Sequence, residues 1–501
     1  MTVVAPFDVR REGWIPAQWA RAVGEHPDDD LPQIGLFGLR NLLVDAHRIE
    51  DLALPVPPAA AGLWRILYAI TARVTGLDQD ASLEFQGDWL DRGAFVPDKI
   101  DAYFDAYPDR FNLFDAYRPW LQDPRLAVEC PKASGVNKLL FDRPAGNTQV
   151  WFGHHTDAEP VAVPAAEAAW YLIAQLYYGA SGRCSSRTMR GESYANSYAG
   201  PLRGAMSFHP RGRNLFESLI LGVPAAPHQD DIPDRCPWEA PDLPDPLALP
   251  APVTWPGGLL TGQARHAILL VPSGEGVVDG YVTWGTRHPA PLQRDPYVVR
   301  RQNAEGGWYQ LPADGSRSLW RDVDALLGGT STSVQRPEIM RTLAALEVDG
   351  RVRAYGFDQD GQAKDRQWFT AVTPPILAWL NERDPGTASG VSGLTRAAET
   401  FGGKLGAVLR LAWQEMSNVK DRQGPWVLTA QAFYWAEAER LFWDLVYAQR
   451  FDGAGSAFAA LGHRAIDHAA DSPVATARQV RAVQTAHRLL NRPATTKGAR
   501  R

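Results

Sequence analysis

Between Pro224 and Pro256 the chain carries ten prolines in 33 residues. Proline fixes φ and has no backbone N–H, so this stretch excludes a central strand and a long helix. It is expected to wrap the surface as an irregular connection. Regular structure must be built on either side of it, and the two sides differ in kind.

Upstream, the pattern is mixed. Phe7 to Pro16 reads as extended chain, because Pro16 disfavours a helix just before it. Leu36, Leu39, Leu43 and Ala46 recur at helical spacing. Leu63, Leu67, Ile70 and Val74 do so before Gly76, which is placed to cap a helix. Trp89, Ile100, Tyr103 and Phe104 suggest another helix. Phe111 to Leu126 interleaves aromatics with Arg118, Pro119 and Pro124, an irregular packed turn. Pro164 opens an apolar helix that ends near Gly179. Downstream, Leu259–Val271 and Val277–Trp284 read as a strand pair. Helices are expected around Leu319–Leu327 and Pro337–Glu347. A strand at Val352–Phe357 runs into a polar turn centred on Gly361.

Beyond Pro375 the pattern becomes helical throughout. Leu394, Ala398, Phe401, Leu405, Val408 and Ala412 mark a long amphipathic helix. Trp426–Gln449, Phe458–Ala470 and Val474–Leu490 mark three more, joined by short loops, as in an antiparallel bundle. The expected fold is α+β. A large mixed α/β domain spans residues 1–372, and an antiparallel four-helix bundle spans 373–501. A chain of 501 residues exceeds one typical core, which agrees with two domains.

Charge narrows the function. The whole chain carries −6, yet Arg183 to Arg213 holds six arginines and one acid, Glu192, on a Gly/Ser-rich backbone. Local guanidinium charge with small residues suits phosphate contact, although a solvated loop has the same composition. Arg287, His288, Arg294, Arg300 and Arg301 form a second basic stretch. Cys130, Cys184 and Cys236 make no CxxC pair, which disfavours a disulfide framework or a thiolate zinc site and fits a reducing cytoplasm. No apolar run reaches membrane-spanning length and no signal-peptide layout opens the chain, so a cytoplasmic protein without membrane contact is expected. No phosphate-binding loop, nucleophile elbow, zincin or dinucleotide motif occurs, and neither catalysis nor a cofactor is expected. The nearest approach to a metal site is His154, His155, Asp157 and Glu159. Neighbours on an extended loop point to opposite sides, which works against convergence on one ion. A metal-dependent hydrolase using His154, His155 and Asp157 is the rival reading. An adaptor without nucleic-acid contact is another.

The order of several short motifs resembles the large subunit of the type I-E CRISPR surveillance complex, Cascade. They are Trp14-Ile15-Pro16, Phe114-x-x-x-Arg118-Pro119-Trp120-x-Gln122, the loop–helix–loop ending in Leu202-Arg203-Gly204, and Gly361-Gln362-Ala363 before the helical C-terminus. The resemblance implies a non-enzymatic role. Such a subunit recognises the short motif beside the target (the PAM) in double-stranded DNA and promotes duplex opening and R-loop formation. It also helps recruit the helicase-nuclease that degrades the target in antiviral defence. Its implied partners are the guide RNA, PAM-bearing duplex, and the Cascade backbone and small subunits.

The resemblance also implies residue roles. PAM contact falls to His154, Asn196, Ser197, Arg203, Arg287, Gly361, Gln362 and Ala363, with Gln362 at the tip of a wedge. The family's glycine-rich PAM loop corresponds to Ala195, Asn196 and Ser197, which lack the glycines, so PAM preference is expected to differ. Trp151, Phe152, Gly153 and His155 correspond to the element that meets the guide RNA and a backbone subunit. Lys404, Arg410, Lys420 and Arg422 correspond to the surface that holds the displaced strand. Some relatives carry a cysteine cluster that this chain lacks, so no zinc is expected.

Overall fold

The computed structural model describes residues 5–20, 33–145, 153–156, 158–225, 232–274, 276–290, 295–328, 332–360, 364–419, 424–471 and 475–492. These group into two units, 1–317 with 333–378, and 318–332 with 379–501.

The first unit is built on the helix Pro57–Thr75. Proline starts it, Gly76 at φ 86° stops it, and nearly every residue between is buried. A helix apolar all round has to sit inside a core. The helix Ala165–Tyr178 crosses it closely. Gly62 makes this possible, because a Cβ there would meet Ile173 and Tyr177 at 2.5 Å. Arg65, midway along the central helix, is 2% exposed and pairs with Asp295 at 2.8 Å. Tyr68, His209 and Tyr297 stack beside it, with ring centroids 4.9–5.7 Å apart. Two of the quoted tryptophans meet in this unit: Trp14 and Trp120 pack edge to face at 5.6 Å. Gln122 laces its segment to a strand, donating to the Leu113 carbonyl and accepting from the Leu270 N–H.

Strands among the described residues form five small antiparallel sheets. Three hairpins carry the candidate site residues: Gly182–Met189 with Glu192–Ser197, His266–Ser273 with Gly276–Trp284, and Arg351–Asp360 with Lys364–Val372. The strand Ser207–Arg211 adds to the last of these.

Where it is described, the proline-rich connection is irregular, as expected, and is held by charge. Arg73 on the central helix reaches Asp234 and Glu239 at 2.8 and 3.0 Å. Three expectations fail. Residues 34–37 form a strand paired with Ile15–Trp19, and helix begins only at Leu39. Gly38 marks the change, because a Cβ there would meet the Arg10 carbonyl at 2.3 Å. The segment opening at Leu259 starts as the helix Gly257–Thr261, whose free N–H groups at Gly257 and Gly258 are taken by the distant Asp234 carboxylate. Strand starts only at His266. The basic stretch after Gly182 is a hairpin, not a loop.

In the second unit the helices Pro385–Ser417, Pro425–Tyr447, Ala454–Ala470 and Ala477–Leu490 pack in a closed ring, each on its neighbours in sequence and the last on the first. Asp384 caps the first through the Thr387 N–H, and Gly402 lets Tyr434 and Trp435 approach. This is the expected bundle. Residues 318–332, expected with the N-terminal domain, group here instead. Trp320 packs on Phe442 at 4.8 Å, and Arg321 lies over Trp435 while pairing with Glu399. No helix among the described residues is long and apolar enough to cross a membrane.

Candidate nucleic-acid interface

The basic hairpin holds its shape through a buried cation. Arg187 is 0% exposed and meets Asp123 and Glu129 at 2.7 and 2.6 Å. Its guanidinium lies 5.2 Å from the Trp284 ring centre, and it donates to the Trp284 carbonyl. Burial would raise the Asp123 carboxyl, but the hydrogen bonds and charge of Arg125 and Arg187 hold it below the ordinary value. The Trp284 indole N–H donates to the Tyr194 carbonyl, and the Tyr194 ring stands edge-on to Trp284 at 5.7 Å. Thr283 donates to the Ser185 carbonyl. Two hairpins are thus joined by polar contacts through one strand face.

That junction brings Asn196 and Arg287 together. Arg287 stacks over Tyr194 at 4.5 Å and donates to the Asn196 carbonyl at 3.0 Å. The stacked guanidinium is partly pre-ordered, and planar stacking is a geometry that lysine cannot reproduce. The Asn196 side chain is exposed, as are Tyr198 and His288 nearby. Arg183, opposite Asn196 in the ladder, is exposed and has no acidic partner among the described residues. Ser197 is 8% exposed, and its hydroxyl donates to the Tyr198 carbonyl, so it shapes the turn instead of facing solvent.

The other arginines of the stretch are spoken for. Arg190 pairs with Asp245, Arg211 with Glu50 and Asp51, and Arg213 with Glu217. The excess of arginine within Arg183–Arg213 is therefore largely neutralised by acids outside that stretch, most of them distant in the chain and one, Glu217, a helical turn away. Arg203, expected at the DNA, is 0% exposed. It pairs with Asp365, donates to the Tyr178 carbonyl at 2.7 Å and lies over Phe357. Gln359 donates back to the Arg203 carbonyl. Burial pulls the Arg203 guanidinium down and pushes the Asp365 carboxyl up, each against its partner's charge. Arg203 is a positioning residue for the 351–372 hairpin, not a surface cation. Nothing local in its sequence distinguishes it from the free arginines.

Gly361, Gln362 and Ala363, which lie in sequence between the two strands of that hairpin, are outside the described residues, as are Trp151, Phe152, Asp157, Lys420, Arg422 and Arg294. Gly153 and His154 are exposed and His155 half-buried, all on irregular chain. Among the described residues no three His, Cys, Asp or Glu side chains gather as metal ligands. Cys130, Cys184 and Cys236 are free thiols. In the bundle, Lys404 donates to the Arg492 carbonyl and Arg410 is exposed.

Comparison with known proteins follows the same lines. The family described as CRISPR-associated protein Cse1 matches residues 11–480. A curated CRISPR-associated protein CasA/Cse1 from Thermus thermophilus is 30% identical over 328 residues, 64% of this chain and 60% of its own length. A solved chain of a CRISPR RNA-guided surveillance complex is 40% identical, covers 97% of this chain and 99% of its own, and superposes with a TM-score of 0.87. The solved Thermus thermophilus CasA (Cse1) is 22% identical over 97% of this chain and 99% of its own, with a TM-score of 0.76, and shares the fold. The chain described above belongs to the CRISPR-associated Cse1 family.

Proposed function

We propose that this chain is the large subunit of a type I-E Cascade complex, and that it reads the PAM with the Asn196–Arg287 corner. The observation that carries the reading is the joining of two hairpins so that a stacked, partly exposed guanidinium donates to the main-chain carbonyl of Asn196, whose side chain is exposed. Such a corner offers a donor–acceptor pair and a cation to a groove edge. In RNA-guided systems base pairing reads the long sequence, and protein reads only the short flank. A protein with that task needs charge at one place and not across its surface, which agrees with a net charge of −6.

In this reading Gly153 and His155, with Trp151 and Phe152, face the guide RNA and its neighbouring subunit, while His154 touches the PAM. Arg203 and Asp365 set the hairpin that presents Gln362 to the duplex as a wedge. Lys404 and Arg410, with Lys420 and Arg422, offer charge to the displaced strand. The helicase-nuclease docks on the complex and supplies the chemistry, and this subunit is not an enzyme.

The test is target binding by the reconstituted complex. Asn196→Ala removes only the side-chain contact, because Arg287 bonds to the backbone carbonyl. Arg287→Ala removes a cation and also frees the corner. Both are expected to weaken PAM-dependent binding, by about 1–3 kcal/mol for a lost groove or phosphate contact. Arg287→Ala has the larger effect, and assembly is intact in both. Unchanged DNA affinity in both variants would sink the assignment.

A further inference from the structure

The motif Arg118-Pro119-Trp120-x-Gln122 has no role in the corner just described, yet it forms one wall of a cavity of about 340 Å³ in the first unit. Small-molecule sites begin at about 300 Å³, so the space is sufficient for a compact ligand. Two features define its chemistry.

The first is an excess of positive charge, four arginines against two carboxylates on the wall. Arg110, Arg118 and Arg235 line the cavity. Arg118 spends its guanidinium on two backbone carbonyls, those of Ala240 and Pro241, at 3.0 and 3.3 Å. Arg110 and Arg235 meet no carboxylate among the described residues. Burial, and next the charge of Arg110, pull Arg118 below its ordinary value. Of the acids on the wall, Asp123 is already held by Arg125 and Arg187, which leaves Asp242. Guanidiniums brought together in this way repel one another until an anion enters.

The second feature is an apolar wall from Leu176, Trp238 and Ile268.

We propose that this cavity binds a nucleoside phosphate, with the phosphate on Arg110, Arg118 and Arg235 and the ring against Leu176, Trp238 and Ile268. The same chemistry is presented by a free mononucleotide and by the phosphorylated end of a strand. The site does not depend on the PAM reading.

The experiment is calorimetric titration of the full chain with adenosine monophosphate, with a 5′-phosphorylated trinucleotide, and with inorganic phosphate. Saturation by the mononucleotide, or by the trinucleotide alone, is the expected result and tells the two sources apart. Arg110→Ala and Arg235→Ala, at the partly exposed rim, should each weaken binding about tenfold, the loss of one charge-assisted contact. Arg118→Ala should weaken it at least as much. The rim variants keep the test sharp should Arg118→Ala fail to fold. No saturation by either nucleotide at millimolar concentration overturns the proposal. So does inorganic phosphate binding as tightly as the nucleotides, or an affinity that ignores both rim variants.

Discussion

Buried ionisable groups, more than the surface arginines, decide how single residues of this chain behave. His266 shows it. Burial first, then the charges of Arg203, Lys138 and Arg265, depress its pKa to about 4. The folded state therefore prefers the neutral ring, so its contribution is complete above the unfolded value near 6.5. It is lost as pH falls from there towards 4. The expected loss is about 2 kcal/mol between pH 7 and pH 5 from this one group. His209, also buried and depressed by burial and Arg65, adds in the same direction. Urea unfolding at the two pH values checks it: His266→Gln should show a smaller acid penalty than the parent chain by roughly that amount. An equal penalty in both would contradict the assignment. At this scale the sequence was only partly legible. It pointed to Asn196 and Arg287 but could not separate them from Arg203 and Ser197, because burial is set by the tertiary fold; Arg203, for one, is enclosed by Asp365, Tyr178 and Phe357, which are distant in sequence.

The elements with functional weight are hairpins, and two of the three lack a strong strand pattern. Gly182–Met189 reads GRCSSRTM, without the alternation of β-branched and polar residues that marks a strand. It forms because Arg187 and Ser185 bind the neighbouring hairpin, a polar contact that periodicity cannot show. The 351–372 hairpin was visible only as one short strand and a turn. The wedge role proposed for it yields a prediction. Gln362 has two donors and one acceptor group, enough to replace contacts of a separated base, and unstacking costs a few kcal/mol per step. Gln362→Ala should slow R-loop formation on linear DNA. The defect should shrink on negatively supercoiled DNA or on targets mismatched beside the PAM. Equal impairment on open and closed targets would reduce Gln362 to a simple binding contact. Arg203→Leu should loosen the same hairpin without touching DNA, seen as faster amide exchange over 351–372 in the isolated chain. Unaltered exchange there would remove Arg203 from its positioning role.

For the whole molecule, the two-part α+β plan was legible because length, proline distribution and helical periodicity each act over long stretches. The bundle was read almost helix by helix. The strands at 34–37 and the helix at 257–261 were not, because Gly38 passing Arg10 and Asp234 capping Gly257 are tertiary events. The absence of a phosphate-binding loop leads to a further expectation: the purified chain turns over neither ATP nor nucleic acid. Turnover abolished by His155→Ala would reverse that and favour a metal-dependent hydrolase. The central claim is that this subunit gives an RNA-guided complex its dependence on the flanking motif. It is tested most directly by selecting bound duplexes from a pool with one guide-matched target and a randomised flank. The complex is assembled with the parent chain, with Asn196→Ala plus Arg287→Ala, or without the chain. The account predicts a defined flanking motif with the parent chain, a relaxed one with the double variant and none without the chain. The same motif recovered from all three would contradict it.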